Sequence, residues 1–192
     1  MKKIALTALA LMLLLSACGN GKWPAVPTAG SAPTPTPTMA PAEERTYNQD
    51  FGTYTVPAGW VESVIYSSED KFFYMKAGTE GEEEPNNISI NAGTNRYSLE
   101  EHEQFRDAIL RQLLYQVQGM EANLTGDGYF TEADIMVYKF QITHEDSDVI
   151  TTQYYLVNNY SYVLVHETTF SEPEETDTVA EAIVESFRWP ED

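Results

Sequence analysis

The sequence predicts an α+β domain in which an antiparallel β-sheet of about six strands carries helices packed on it. Three observations predict it. Short segments alternate apolar and polar residues with period two, as strands do when only one face is buried. One long segment repeats apolar residues at helical spacing behind a capping motif. The strand segments mostly follow one another through turn signals, so hairpins outnumber crossovers.

Taken in order, Tyr54 and Val56 alternate with Thr53 and Thr55 before Pro57-Ala58-Gly59-Trp60, a strand ending in a turn. Lys71 to Met75 is a second β run, Glu80 to Pro85 an acidic loop, and Asn87 to Asn91 a third strand. Ser98-Leu99-Glu100-Glu101 has the form of a capping box, and the helix it opens is expected to reach Gln118, with Gly119 as a left-handed cap. Phe105, Ile109, Leu113 and Val117 recur every four residues, and Leu99, Leu110 and Leu114 widen that stripe toward the sheet. Gly126-Asp127-Gly128 reads as a turn.

Met136, Tyr138, Phe140 and Ile142 form the next strand. Ile150 to Val157 and Tyr160 to Phe170 then make a hairpin around Asn158-Asn159, a pair suited to a type I′ turn. That register sets Tyr155 opposite Tyr162 and Tyr154 opposite Val163. A helix from Thr178 to Phe187 closes the chain, with Val179, Ala180, Ile183, Val184 and Phe187 on one arc and Pro190 as its stop.

Ahead of this domain the chain begins Met1-Lys2-Lys3, runs apolar from Ile4 to Leu15, and turns small at Ser16-Ala17-Cys18. The apolar run is too short to span a bilayer, which marks residues 1–17 as a signal peptide. Leu15-Ser16-Ala17-Cys18 resembles the lipobox of bacterial lipoproteins. The resemblance implies cleavage before Cys18, lipid (palmitate-type acyl chains) on that residue, and a place on the extracytoplasmic face of the cell membrane. Residues 18–45 then read as a Pro/Thr/Ala-rich tether, with Pro33-Thr34-Pro35-Thr36-Pro37-Thr38 at its heart, and residues 46–192 as a single domain.

Composition narrows the function. Cys18 is the only cysteine, so the domain has no internal disulfide, no cysteine nucleophile and no thiolate metal site. Eleven Lys and Arg face 30 Asp and Glu; with Lys2 and Lys3 lost in the leader, nine basic side chains remain and the formal charge is −21. That charge disfavours nucleic acid as a partner, and direct adsorption to anionic lipid for the same reason. Membrane attachment falls to the lipid on Cys18. The sequence contains no glycine-rich phosphate loop, no G-x-S-x-G elbow and no H-E-x-x-H, so it implies no catalytic residue, no metal ligand set and no cofactor.

One constellation invites a site. At 100° per residue the apolar arc of the long helix also contains His102 and Arg106, so two polar side chains point toward the sheet. The loop before it supplies Asn95 and Arg96 at a helix N-terminus, which favours anions, and His166 comes from the last strand. Asn95, Arg96, His102, Arg106 and His166 are the candidate binding residues, either as a small polar pocket or as a structural network that docks the helix. The acidic runs Glu80 to Glu84 and Glu172 to Glu175 read as solvated loops, with calcium as the alternative.

Several stretches are similar to those of small Gram-positive gut-type lipoproteins: Asn86 to Asn91, Gly93 to Ser98, Glu101-His102, Phe105 and Gln112-Leu113. So are Thr152 to Tyr155, His166-Glu167-Thr168 and Ser186 to Trp189. The element order resembles the PsbP-like fold, shared by a photosystem II extrinsic subunit, a Ran-binding import factor and the lipoprotein DcrB. The resemblance implies an α-β-α sandwich and a non-enzymatic role with a protein or envelope partner. The metal-binding and Ran-binding motifs of those relatives have no match in this sequence. A small-ligand or metal-ion binding lipoprotein is the alternative, and an envelope hydrolase the weakest reading because no nucleophile and base set is recognisable.

Overall fold

A computed structural model of the chain describes residues 43–191. The expected signal peptide, Cys18 and nearly all of the tether lie outside the described residues. β1 (Arg45–Gln49) and β2 (Gly52–Val56) form a two-stranded hairpin. The main sheet has seven strands: β3 (Trp60–Glu62), β4 (Lys71–Lys76), β5 (Asn87–Thr94), β6 (Ala122–Phe130), β7 (Met136–His144), β8 (Ile150–Asn158) and β9 (Ser161–Thr169). Their spatial order is β3-β4-β5-β9-β8-β7-β6, and every pairing is antiparallel. A 3₁₀ turn (Leu99–Glu101) leads into α1 (His102–Gln116), and α2 (Pro173–Ser186) follows β9.

Successive strand residues point to opposite faces, and each face receives one helix. On one face, Val163 and Val165 of β9, Tyr154 and Leu156 of β8 and Ile88 and Ile90 of β5 pack with Val179, Ala180, Ile183 and Val184 of α2. The β1–β2 hairpin joins them through Tyr54 and Val56. On the other face, Phe105, Ile109 and Leu113 of α1 lie on Met136, Tyr138, Phe140, Tyr155 and Val157. β8 sits between both layers, which is why Thr152 to Val157 are all buried. Each fully buried Ile, Leu or Val in these layers contributes roughly 1.5–3 kcal/mol.

Several sequence expectations change here. Gly126-Asp127-Gly128 is not a turn; it lies within β6, where Gly126 pairs with Phe140 and Gly128 with Tyr138. A Cβ on Gly126 would come within 2.7 Å of the Phe140 ring and one on Gly128 within 2.9 Å of the Tyr138 ring, so the glycines make room for aromatic side chains lying across the strand. The β8–β9 register also differs. Asn158 pairs with Ser161, so the loop is Asn159-Tyr160, and Tyr155 lies opposite Leu164 and Tyr154 opposite Val165. The shift of two residues keeps every side chain on its expected face. Tyr160, not an Asn pair, takes the positive φ (54°), because the turn is bonded to the β5–α1 loop: the Tyr160 amide donates to Tyr97 O, the Asn95 amide to Tyr160 O, and the Leu99 amide to Asn159 Oδ1.

The helices shift at their ends. The Glu101 carboxylate accepts from the Ser98 amide at 3.0 Å and hydroxyl at 3.1 Å, so the capping contact forms, but on a 3₁₀ turn. Gly119 has its left-handed φ of 84°. Leu99 and Leu114, expected against the sheet, are 43% and 52% exposed. α2 starts earlier than its apolar arc, with Pro173 in the first turn, where Pro suits the helix entry. The Glu172 to Glu175 run is thus mostly helix, and Glu174 and Glu175 face the positive end of its dipole. α2 ends where Arg188 pairs with Thr53 of β2, before Pro190 is reached.

Candidate functional site

The loop after β5 is shaped by Asn95. Its Oδ1 accepts from the Tyr97 amide at 2.7 Å and its amide nitrogen donates to Ser161 O at 3.2 Å, so the side chain joins the loop to the start of β9. Arg96 projects next to it, stacks over the Tyr97 ring at 5.2 Å and donates to the Tyr97 hydroxyl at 3.1 Å. His102 opens α1 on the sheet side and shares a 2.6 Å hydrogen bond with the Tyr138 hydroxyl. Arg106, one turn later, sits 5.8 Å from the Tyr138 ring and is paired with Asp107 at 2.9 Å. Burial raises the Tyr138 phenol, and the Arg106 charge opposes that rise.

Four of the five candidates therefore gather around the entry of α1. His166 takes a separate place, on β9 between Ser89 and Gln153, where its side chain is part-buried. Burial, with Lys71 nearby, lowers its pKa to about 4, so it is neutral near pH 7.

The solvent-facing feature at this corner is an open groove of about 460 Å³ lined by Arg96, Tyr97, Glu101, Gln104, Asp107 and Arg111. Sequence reasoning found Arg96 but passed over Gln104, Asp107 and Arg111. Their spacing of three and four residues was the available signal, since it stacks them on one face of α1 beside the His102–Arg106 edge. The groove offers two guanidinium groups, two carboxylates, an amide and a phenol. Such a surface recognises polar or charged groups by hydrogen bonding. Among the described residues, the histidine hydrogen bond runs to a phenol and none runs to a serine or threonine hydroxyl. Among the same residues, no group of three or more His, Asp or Glu side chains is placed to hold a metal ion.

A second cleft, of about 360 Å³, lies between the β1–β2 turn and the strand β4, where Phe51 and Phe72 approach to 6.0 Å beside Asp50, Glu69 and Asp70. No sequence motif pointed to it, because its two walls are distant in the chain.

No family model and no curated protein matches the sequence. Among solved structures, the chain is similar to the cyanobacterial PsbP protein (CyanoP) of Synechocystis sp. PCC 6803, with a TM-score of 0.54 and 12% identity over 82% of this chain and 98% of that one. A crystal structure from Bacteroides thetaiotaomicron VPI-5482 gives a TM-score of 0.47 and 15% identity, over 78% of this chain and 50% of that one. The domain has a PsbP-like α+β fold, and identity this low speaks to fold alone.

Proposed function

We propose that the chain is a lipoprotein held at the extracytoplasmic face of the cell membrane through Cys18, and that its PsbP-like domain is a non-catalytic interaction or assembly module for a protein or envelope partner. The observation that carries the reading is the outward side of α1. There the groove residues Gln104, Asp107 and Arg111 continue into Leu114 and Tyr115, which are 52% and 78% exposed. Tyr and Arg beside an exposed aliphatic side chain, framed by polar groups, is the composition of an interface centre. The Pro/Thr/Ala-rich composition of residues 18–45 supports the same reading, since a Pro-rich spacer of about 3.1 Å per residue would let a strongly acidic body work away from the bilayer.

The test is capture of the partner in intact cells. The double variant Arg111→Glu/Tyr115→Ala is expected to lose at least about tenfold in captured complex, while its far-ultraviolet spectrum and melting temperature stay those of the parent. Equal capture by the variant would contradict the reading. Cys18→Ala is expected to release a folded, soluble domain, and retention in the membrane fraction would contradict the anchor.

A volume of about 460 Å³ also falls within the range of small-molecule sites, which favours a small polar ligand as the second reading. A thermal-shift screen with small anions and zwitterions separates the two. A saturable stabilisation lost in Arg96→Gln would move the assignment to ligand binding.

A further inference from the structure

Glu167 occupies the alternation Val163, Val165, Glu167, Thr169 on the α2 side of β9 and is 1% exposed. Its Oε1 accepts from the Thr169 hydroxyl at 2.9 Å, while Oε2 is buried with no hydrogen-bond partner among the described residues. Asp177, in the first half of α2, has a buried Oδ1 in the same condition, and the Tyr154 hydroxyl on β8 is a third such atom. Three orphaned oxygens in one layer are unusual, because each costs about 1–3 kcal/mol of unrecovered desolvation.

The charged and titratable groups that act on Glu167 are Asp177 from α2, Lys139 from β7 and Tyr154 from β8, and Tyr154 in turn feels Glu181 of α2 and Tyr129 of β6. β5 contributes only Ile88, paired with Glu167. The one cation of this set, Lys139, is already held by Glu181 at 2.9 Å and lies 5.0 Å from the Tyr154 ring. An ionised Glu167 beside an ionised Asp177 would repel it and leave a carboxylate charge out of water. A single proton removes the repulsion and the buried Glu167 charge, and gives both orphaned carboxylate oxygens a partner.

We propose that Glu167 Oε2 carries a proton donated to Asp177 Oδ1, and that this shared proton is a pH-sensitive latch holding α2 on the sheet. When hydroxide removes it as water, two carboxylates face each other under the first half of α2 and the helix loosens. The hairpin follows, because the far end of α2 is bonded to β2: the Thr55 amide donates to Ser186 Oγ at 2.9 Å, and Thr53 and Arg188 exchange backbone hydrogen bonds at 2.9 and 2.8 Å. Burial first, and then the charge of Asp177, raises the Glu167 carboxyl to about 8.

The sign follows from linkage. The folded state holds a proton that the unfolded chain releases near the ordinary glutamate value, so stability falls as pH rises toward about 8 and levels off above it. Urea unfolding of the full chain is expected to show the folding constant dropping about 15-fold between about pH 6.5 and 8, and the neutral isostere Glu167→Gln is expected to flatten that slope. Carbon-13 NMR of the Glu167 side-chain carboxyl in the parent protein should show a midpoint above 7, and the protection factors of the α2 and β2 amides, relative to intrinsic exchange, should fall together across the same range. A midpoint near the ordinary glutamate value, or an unchanged slope in Glu167→Gln, would overturn the latch. So would a divalent cation that stabilises the parent and abolishes the titration, since a metal would then hold these oxygens. If Glu167→Gln does not fold, the carboxyl titration of the parent decides alone.

Discussion

His166 and Glu167 are consecutive residues on one strand, yet they point into different halves of the molecule and burial acts on them with opposite consequences. His166 faces the α1 layer, and burial lowers its pKa to about 4; Glu167 faces the α2 layer, and burial raises its own to about 8. Both are kept neutral near pH 7 by the same physics, the cost of a charge out of water. The two faces use that neutrality differently. The α2 layer carries its unpaired polar atoms inward, whereas the α1 layer satisfies its polar groups at the edge and turns a groove and an exposed Tyr115 outward. On the proposed reading, one side of the sheet works as a latch and the other as a contact surface.

The largest effect that can sharpen this contrast is expected from the α2 side. Phe187, 1% exposed, fills the gap between α2 and the β1–β2 hairpin and meets Trp189 edge-on at 4.8 Å. Phe187→Ala is expected to lose about 3–5 kcal/mol in urea unfolding. A loss below about 1 kcal/mol would mean that the α2 layer is not the tightly sealed half.

Next comes acid. The unfolded chain protonates His166 near its ordinary value of 6.5, and the folded chain only near 4, so the unfolded state binds more protons between those limits. Stability from this group is complete above about pH 6.5 and is lost as pH falls toward 4, the reverse of the Glu167 trend. Melting temperature followed by pH in the parent and in His166→Gln checks it. A variant slope equal to that of the parent below pH 6.5 would break the comparison.

The smallest effect lies at the open edge. Tyr138→Phe removes the partner of His102 and is expected to cost about 1 kcal/mol, because His102 at the edge can turn to water. A cost several times larger, in the same urea assay, would place the His102–Tyr138 contact in the closed core.

What could be read from the sequence divides in the same way. The strands that alternate cleanly, such as Asn87 to Asn91 and Met136 to Ile142, and the capping contact of Ser98 with Glu101 were legible because their causes are local. β6 was not, because Gly126 and Gly128 owe their extended conformation to Phe140 and Tyr138, residues that reach them only through pairing. The β8–β9 turn was misplaced for a similar reason, since Asn159 and Tyr160 are held by Leu99, Asn95 and Tyr97. At the candidate site, His102 and Arg106 do turn toward Tyr138 as helical spacing implies. Arg111 was overlooked because a solvated arginine carries no local signature. Glu167 sits in a valine alternation, which was a legible oddity, but its partner Asp177 belongs to a helix that meets β9 only in the fold.

The measurement that separates the faces most directly is site-specific photocrosslinking in intact cells, with the reactive residue at Gln104 or Tyr115 on α1 and at Ala182 on the solvent side of α2. The same adduct from both α1 positions and none from Ala182 is the expected result. An adduct from Ala182 alone, or none from either α1 position, would contradict the assignment of the α1 side as the contact surface.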